Sequence, residues 1–114
     1  MHDRITQLND LIRDILGLIL TREVSLKTGV IVTIAKVDTA RNLRSTHVSL
    51  SVLPPDDRHY VMKTLQHEHR RVEWLFHQKL STRPLPKLVF ELDTTEEKAD
   101  EVERLLKSIQ DTHS

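Results

Sequence analysis

Seven histidines, six bases between Lys63 and Lys87, and no cysteine are what this sequence offers for chemistry. A zinc-type centre needs at least three converging ligands. His67 and His69 are two residues apart, which puts them on nearly opposite sides of a helix, and only His69 and Glu73, four apart, share a face. No HExxH motif is present, and without cysteine there is neither a thiolate site nor a cysteine nucleophile. Gly17 and Gly29 are the only glycines, too few for a phosphate-cradling loop, and no serine sits in a nucleophile context. Asp10 and Asp14 share a helix face beside Arg13 and read as surface charges. The sequence therefore predicts no enzyme, no catalytic residue, no metal site and no cofactor.

The remaining chemistry is recognition of anions. The chain carries 17 basic and 17 acidic residues, so its formal charge is zero, but the two signs are unevenly spread. From Asp93 to Ser114 seven acids face three bases, and the first 92 residues keep fourteen bases against ten acids. Between Lys63 and Lys87, Lys63, Arg70, Arg71, Lys79, Arg83 and Lys87 are opposed only by Glu68 and Glu73. Taken alone, this asymmetry reads first as an uneven solvated surface. It also permits a basic face on a neutral protein.

The elements that must position these groups follow from periodicity. Ile5, Leu8, Ile12, Ile15, Leu16 and Ile19 recur at three- and four-residue steps, predicting an amphipathic helix from Arg4 to Leu20. Arg13 and Asp14 interrupt its apolar run, so it neither spans a bilayer nor forms a signal core. Val30 to Val37 is rich in branched side chains and reads as a strand. Asp38 to Arg44 reverses the chain, and Thr46, Val48, Leu50 and Val52 alternate with His47, Ser49 and Ser51 in a second strand. After Pro54-Pro55, Asp56 or Asp57 is expected to cap a long helix over residues 57–80, about 36 Å if straight.

Its buried stripe is Val61, Leu65, Val72, Leu75 or Phe76, and Leu80. The place expected to be apolar in the middle falls on Glu68 or His69, which predicts a bend there. Trp74 and Phe76 flank Leu75, so one ring could leave the stripe; a core or lid role is expected for them. Pro84 and Pro86 separate this helix from a third strand, Leu88 to Leu92, and Thr94 or Thr95 starts a last helix with stripe Ala99, Val102, Leu105, Leu106 and Ile109. The economical arrangement is an α+β domain: helix, strand, strand, kinked helix, strand, helix, with a three-stranded mixed sheet and helices on one face. One domain is expected over residues 1–114, with its core over about 5–109.

This order, with particular residues in it, resembles the ribosome-binding factor A family of small bacterial proteins. The likeness is carried by Val32-Thr33-Ile34 and Val37, Asn42-Leu43, Val48-Ser49-Leu50-Ser51-Val52-Leu53, Leu65, Val72, Leu80, Arg83, Pro86-Lys87-Leu88-Val89-Phe90, Asp93 and Leu105-Leu106. Where the family has Ala-x-Gly at its bend, this chain has Glu68-His69-Arg70, bulkier and partly acidic. The segment Thr21-Arg22-Glu23-Val24 lacks the family's Asp-Pro.

The resemblance implies a type II KH-like domain. It further implies a cytoplasmic, non-catalytic factor that binds the small ribosomal subunit and assists folding and processing of its rRNA. On that reading the contact residues are Arg41, Arg44, His67, His69, Arg70, Arg71, Lys79, Arg83 and Lys87, with His77 as a further donor, because cations and imidazoles meet phosphate and sugar. The partners are the small subunit and its rRNA, with no membrane, and the protein is expected to be a monomer. The competing expectation is a KH-like protein-interaction module that has lost RNA binding, in which an exposed Trp74 or Phe76 would meet a protein. Salt separates the two, since phosphate contacts weaken steeply with it.

Overall fold

The structure, a computed structural model, describes residues 3–81 and 83–111, and of 96–101, 110 and 111 the backbone alone. Helix α1 covers Arg4–Glu23, strand β1 Ile31–Thr39, strand β2 Ser45–Leu53, helix α2 Arg58–Gln78, strand β3 Lys87–Leu92 and helix α3 Thr95–Asp111. A 3-10 turn, Pro55–Asp57, leads into α2. β2 is the central strand, antiparallel to β1 and parallel to β3. A parallel partner requires a crossover, and α2 supplies it. The α+β order and the mixed sheet are those expected from the sequence.

α1 starts where Asp3 accepts a hydrogen bond from the Thr6 amide at 2.8 Å, and this bond holds the Asp3 carboxyl below its usual pKa. Its Ile12, Leu16 and Ile19 are buried. They meet Val37, Val48, Leu50 and Val52 of the sheet and Val61, Leu65, Val72 and Phe76 of α2 in one aliphatic core. Gly17 lies inside α1 with nothing within 4 Å of where a Cβ would stand.

β1 runs two residues beyond its expected end at Val37, and the cause is a bulge. Ile34 pairs with Leu50 and Lys36 with Ser49, so Ala35 is the extra residue and the side-chain alternation shifts by one. Val32 and Ile34 pack inward before the bulge, and Val37 and Thr39 turn inward after it. Buried Thr39 finds Thr46 Oγ1 at 3.0 Å, and its amide donates to Asn9 Oδ1 at 3.1 Å. From α1, Arg13 donates to the carbonyls of Ile34 (2.9 Å) and Ala35 (3.3 Å). The turn that follows closes through Leu43 N to Ala40 O, 2.8 Å, with Leu43 at φ 62°, and Asn42 Oδ1 accepts from Arg44 N.

Three expectations for the long helix are corrected. α2 is one α-helix through Glu68-His69-Arg70 where two helices meeting at a bend were expected: the hydrogen-bonded helix is continuous, and only the buried stripe is interrupted. Glu68 and Arg70 are good helix formers and help the backbone ladder continue where glycine would weaken it. Asp57 does not cap α2 with its side chain, because that carboxylate pairs with Lys27 Nζ at 2.6 Å and raises the Lys27 pKa. Trp74 is neither core nor lid: it is 60% exposed, while Phe76 is fully buried. Two residues turn a helix by about 200°, so with Val72 and Phe76 on the core, Trp74 must face away.

α1 lies over β1, and α2 over β3 and β2. Those two helices occupy the inner face, and among the described residues α3 packs on no other element. Its Val102, Leu105 and Leu106 are 54%, 60% and 54% exposed. Ala99, the first member of the expected stripe, falls outside the described side chains.

Two substitutions test this packing by chemical denaturation. Gly17→Ala meets no neighbour and should stabilise the protein by about 1 kcal/mol through helix propensity. Phe76→Ala should cost about 3–5 kcal/mol by leaving a cavity beneath α2.

Candidate nucleic-acid interface

The geometry of the interface starts from how α2 lies on β3. His77 donates from Nε2 to the Pro86 carbonyl at 2.7 Å. Glu73 Oε2 accepts from the Leu88 amide at 2.9 Å. The His69 ring stands edge-on to Phe90 with centroids 6.0 Å apart. Helix and strand therefore run antiparallel, four residues of one against two of the other. Four helical residues rise about 6 Å and two strand residues about 6.6 Å, so the match holds along the contact.

This contact leaves a groove between α2 and the edge strand β3. Its walls are His59, Met62, Lys63, Gln66, His69 and Arg70 on the helix and Leu88, Val89 and Phe90 on the strand. Among the described residues, no carboxylate lines it. Apolar residues form part of the wall, and the bases stand on the helix side.

Along α2, Lys63, His67, Arg70 and Trp74 recur at steps of four, three and four, and all four side chains are exposed. They sit roughly half a turn from the stripe Val61, Leu65, Val72 and Phe76. The line is thus fixed by the core: burying one stripe presents the other.

The residues expected at a contact face fall into three groups. His67 and Arg70 stand on the outer line of α2. Arg41, Arg44, Lys79, Arg83 and Lys87 are all exposed and lie where the β1–β2 turn and the α2–β3 connection come together. There Lys87 N donates to Arg44 O at 3.0 Å, and Lys87 is the register partner of Ser45. His69 and Arg71 are engaged within the protein.

His69 Nε2 is 3.2 Å from Glu73 Oε2 and packs on Phe90. Arg71 donates through Nε to Glu68 Oε2 at 2.9 Å and through NH1 to Glu23 Oε2 at 3.3 Å, and also bonds the Glu23 carbonyl. The hydrogen bond to Glu68 is the first cause holding this guanidinium above its usual pKa. Arg71 clamps the end of α1 to α2. The further donor His77 is likewise taken up, by Pro86.

The sequence expectation did not place His59, Lys63 and Trp74 among the contact residues, although the structure sets them beside Arg70 on this face. The signal was available, since the spacing of Lys63, His67, Arg70 and Trp74 is that of a helix face complementary to the buried stripe. Among the described residues, no group of three or more His, Cys, Asp or Glu could hold a metal ion, and no helix is long and apolar enough to cross a membrane.

Reversal of Arg71 should therefore read out as stability. Arg71→Glu would bring a third acid against Glu23 and Glu68 and lower the Tm, whereas Arg70→Glu, with no such partners among the described residues, should leave the Tm nearly unchanged. Glu73→Ala should cost about 1–3 kcal/mol by orphaning the Leu88 amide. Thermal unfolding followed by circular dichroism checks all three.

No curated protein matches this sequence significantly. Among solved structures, the fold is similar to the crystal structure of ribosome-binding factor A from Thermus thermophilus, with a TM-score of 0.69 at 14% identity, over 79% of this chain and 97% of that one. It is also similar to the solution structure of a Thermotoga maritima candidate ribosome-binding factor A, TM-score 0.66, 23% identity, over 80% and 90% of the two chains. A third likeness is to a homology model of the Thermus thermophilus factor as fitted into a cryo-EM map of a 30S complex, TM-score 0.64, 15% identity, over 76% and 92%. Residues 4–106 match the family model described as ribosome-binding factor A. With that match spanning most of the sequence and the same fold beneath it, the chain belongs to the ribosome-binding factor A family.

Proposed function

We propose that this protein binds the rRNA of the small ribosomal subunit during its maturation, through the outer face of α2 and the turn end of the sheet, and promotes folding and processing without catalysing a covalent step. The observation that carries the reading is the groove flanked by His59, Lys63 and Arg70, whose lining holds no carboxylate, on a chain of zero formal charge. Lys63 and Arg70 can take phosphate charge there without first giving up an acid of the groove lining. Family membership supports the subunit as partner, as does the fitting of a Thermus thermophilus homologue into a 30S complex. The cytoplasm follows as the place where that partner is assembled.

Arg41, Arg44, Lys79, Arg83 and Lys87 extend the contact from α2 to the sheet end. Together they suit a folded RNA whose phosphates are met at several points, recognised by shape. The groove wall supplied by Leu88, Val89 and Phe90 gives the ribose and base edges an apolar surface beside the charges.

The protein-interaction reading draws on α3, whose exposed Val102, Leu105 and Leu106 offer an apolar stripe. The two readings separate on salt. Co-sedimentation with small subunits should be lost in the Lys63→Glu/Arg70→Glu variant at unchanged Tm, and the salt dependence of binding should fall by about one unit of slope per contact removed. Retention of full binding by that variant, with an unchanged slope, would reject the α2 face and leave α3.

A further inference from the structure

We infer that Trp74 is a stacking platform for an unpaired base, so that the α2 surface selects single-stranded over duplex RNA. The inference rests on the RNA-binding reading above and names the nucleic-acid state that this face takes.

A tryptophan is large and apolar, and such side chains are usually buried over most of their surface. Trp74 is 60% exposed on a helix whose neighbouring ring, Phe76, is wholly buried. Its indole stands one helical turn beyond Arg70, about 6 Å along the axis, on the line that also carries Lys63 and His67. A cation one turn from an exposed ring is the arrangement that holds a nucleotide by both its parts, with the guanidinium on phosphate and the indole on the base face. Paired bases inside a duplex present no free face to such a ring.

The surroundings of Trp74 favour RNA over a protein partner. An apolar protein surface covering the ring would also cover Arg70, and no acid stands on the line to meet that charge. The two acids of α2 are engaged elsewhere: Glu68 with Arg71, and Glu73 with His69 and the Leu88 amide. Burying an unmatched guanidinium is costly, whereas a phosphate brings its own counter-charge. The ring takes part in none of the aromatic or cation–π contacts among the described residues. It is therefore available from the solvent side.

The chain contains a single tryptophan, so its intrinsic fluorescence reports this ring alone. The full-length protein is titrated with a short unstructured oligoribonucleotide and with a duplex RNA of equal length. Stacking predicts quenching by the single strand and little by the duplex. Trp74→Ala should weaken single-strand binding roughly 5- to 150-fold, with duplex binding changed less than about twofold and the Tm preserved, and Trp74→Phe should retain most of the affinity.

Single-strand binding that depends on Arg70 but leaves Trp74 emission and the Trp74→Ala affinity unchanged would overturn the stacking inference and keep the phosphate reading. Equal quenching by duplex would overturn the selectivity. No binding to either RNA, with quenching by ribosomal proteins of the small subunit instead, would overturn both the inference and the RNA reading beneath it.

Discussion

The antiparallel seating of α2 on β3 is the constraint from which the other features follow. Three contacts, His77 on Pro86, Glu73 on Leu88 and His69 on Phe90, stay in step because a helix turn and a strand dipeptide advance by nearly the same distance. That seating sets the rotation of α2 about its axis. Once the rotation is set, Val61, Leu65, Val72 and Phe76 enter the core, and the bases of the helix have no freedom in where they point. A basic face on a neutral protein is here a geometric by-product of packing.

The same seating explains why charges that look equivalent in sequence differ in role. Arg70 and Arg71 are adjacent, yet about 100° of helical rotation sends one to the outer surface and the other against α1. There Arg71 joins Glu23 and Glu68 and acts as a clasp between the two helices. His67 and His69 divide likewise, one exposed and one held by Glu73 and Phe90. Composition counts these residues together; the helix sorts them.

Much of the fold was legible because its strands and helices carry strong and different periods. Ile12, Leu16 and Ile19, or Val48, Leu50 and Val52, declare their element and their buried face without any tertiary knowledge. The bulge at Ala35 was not legible, since an extra residue in a branched run leaves no trace in the pattern until the partner strand fixes the register. The bend expected at Glu68-His69 rested on a missing apolar residue. A gap in a stripe tells where the core is thin, and does not tell whether the hydrogen-bond ladder breaks. Asp57 looked like a cap because its type and place fit, but Lys27, far earlier in the chain, captures it. The candidate contact residues were chosen by type, and their sorting into outer line, sheet end and internal clasp required the helix rotation.

At the margins of the sheet, two side chains stand where neighbouring strands would otherwise pair. The Arg13 guanidinium takes up two carbonyls at the bulge of β1, and at the opposite margin Glu73 takes up an amide of β3. Each outer strand thus has part of its hydrogen-bonding edge occupied by a side chain from a covering helix. An open edge is a template for strands of other molecules, and here each template is interrupted at one place from within the chain. Three backbone groups of the outer strands, the carbonyls of Ile34 and Ala35 and the amide of Leu88, are thereby withdrawn from pairing with a strand of another molecule.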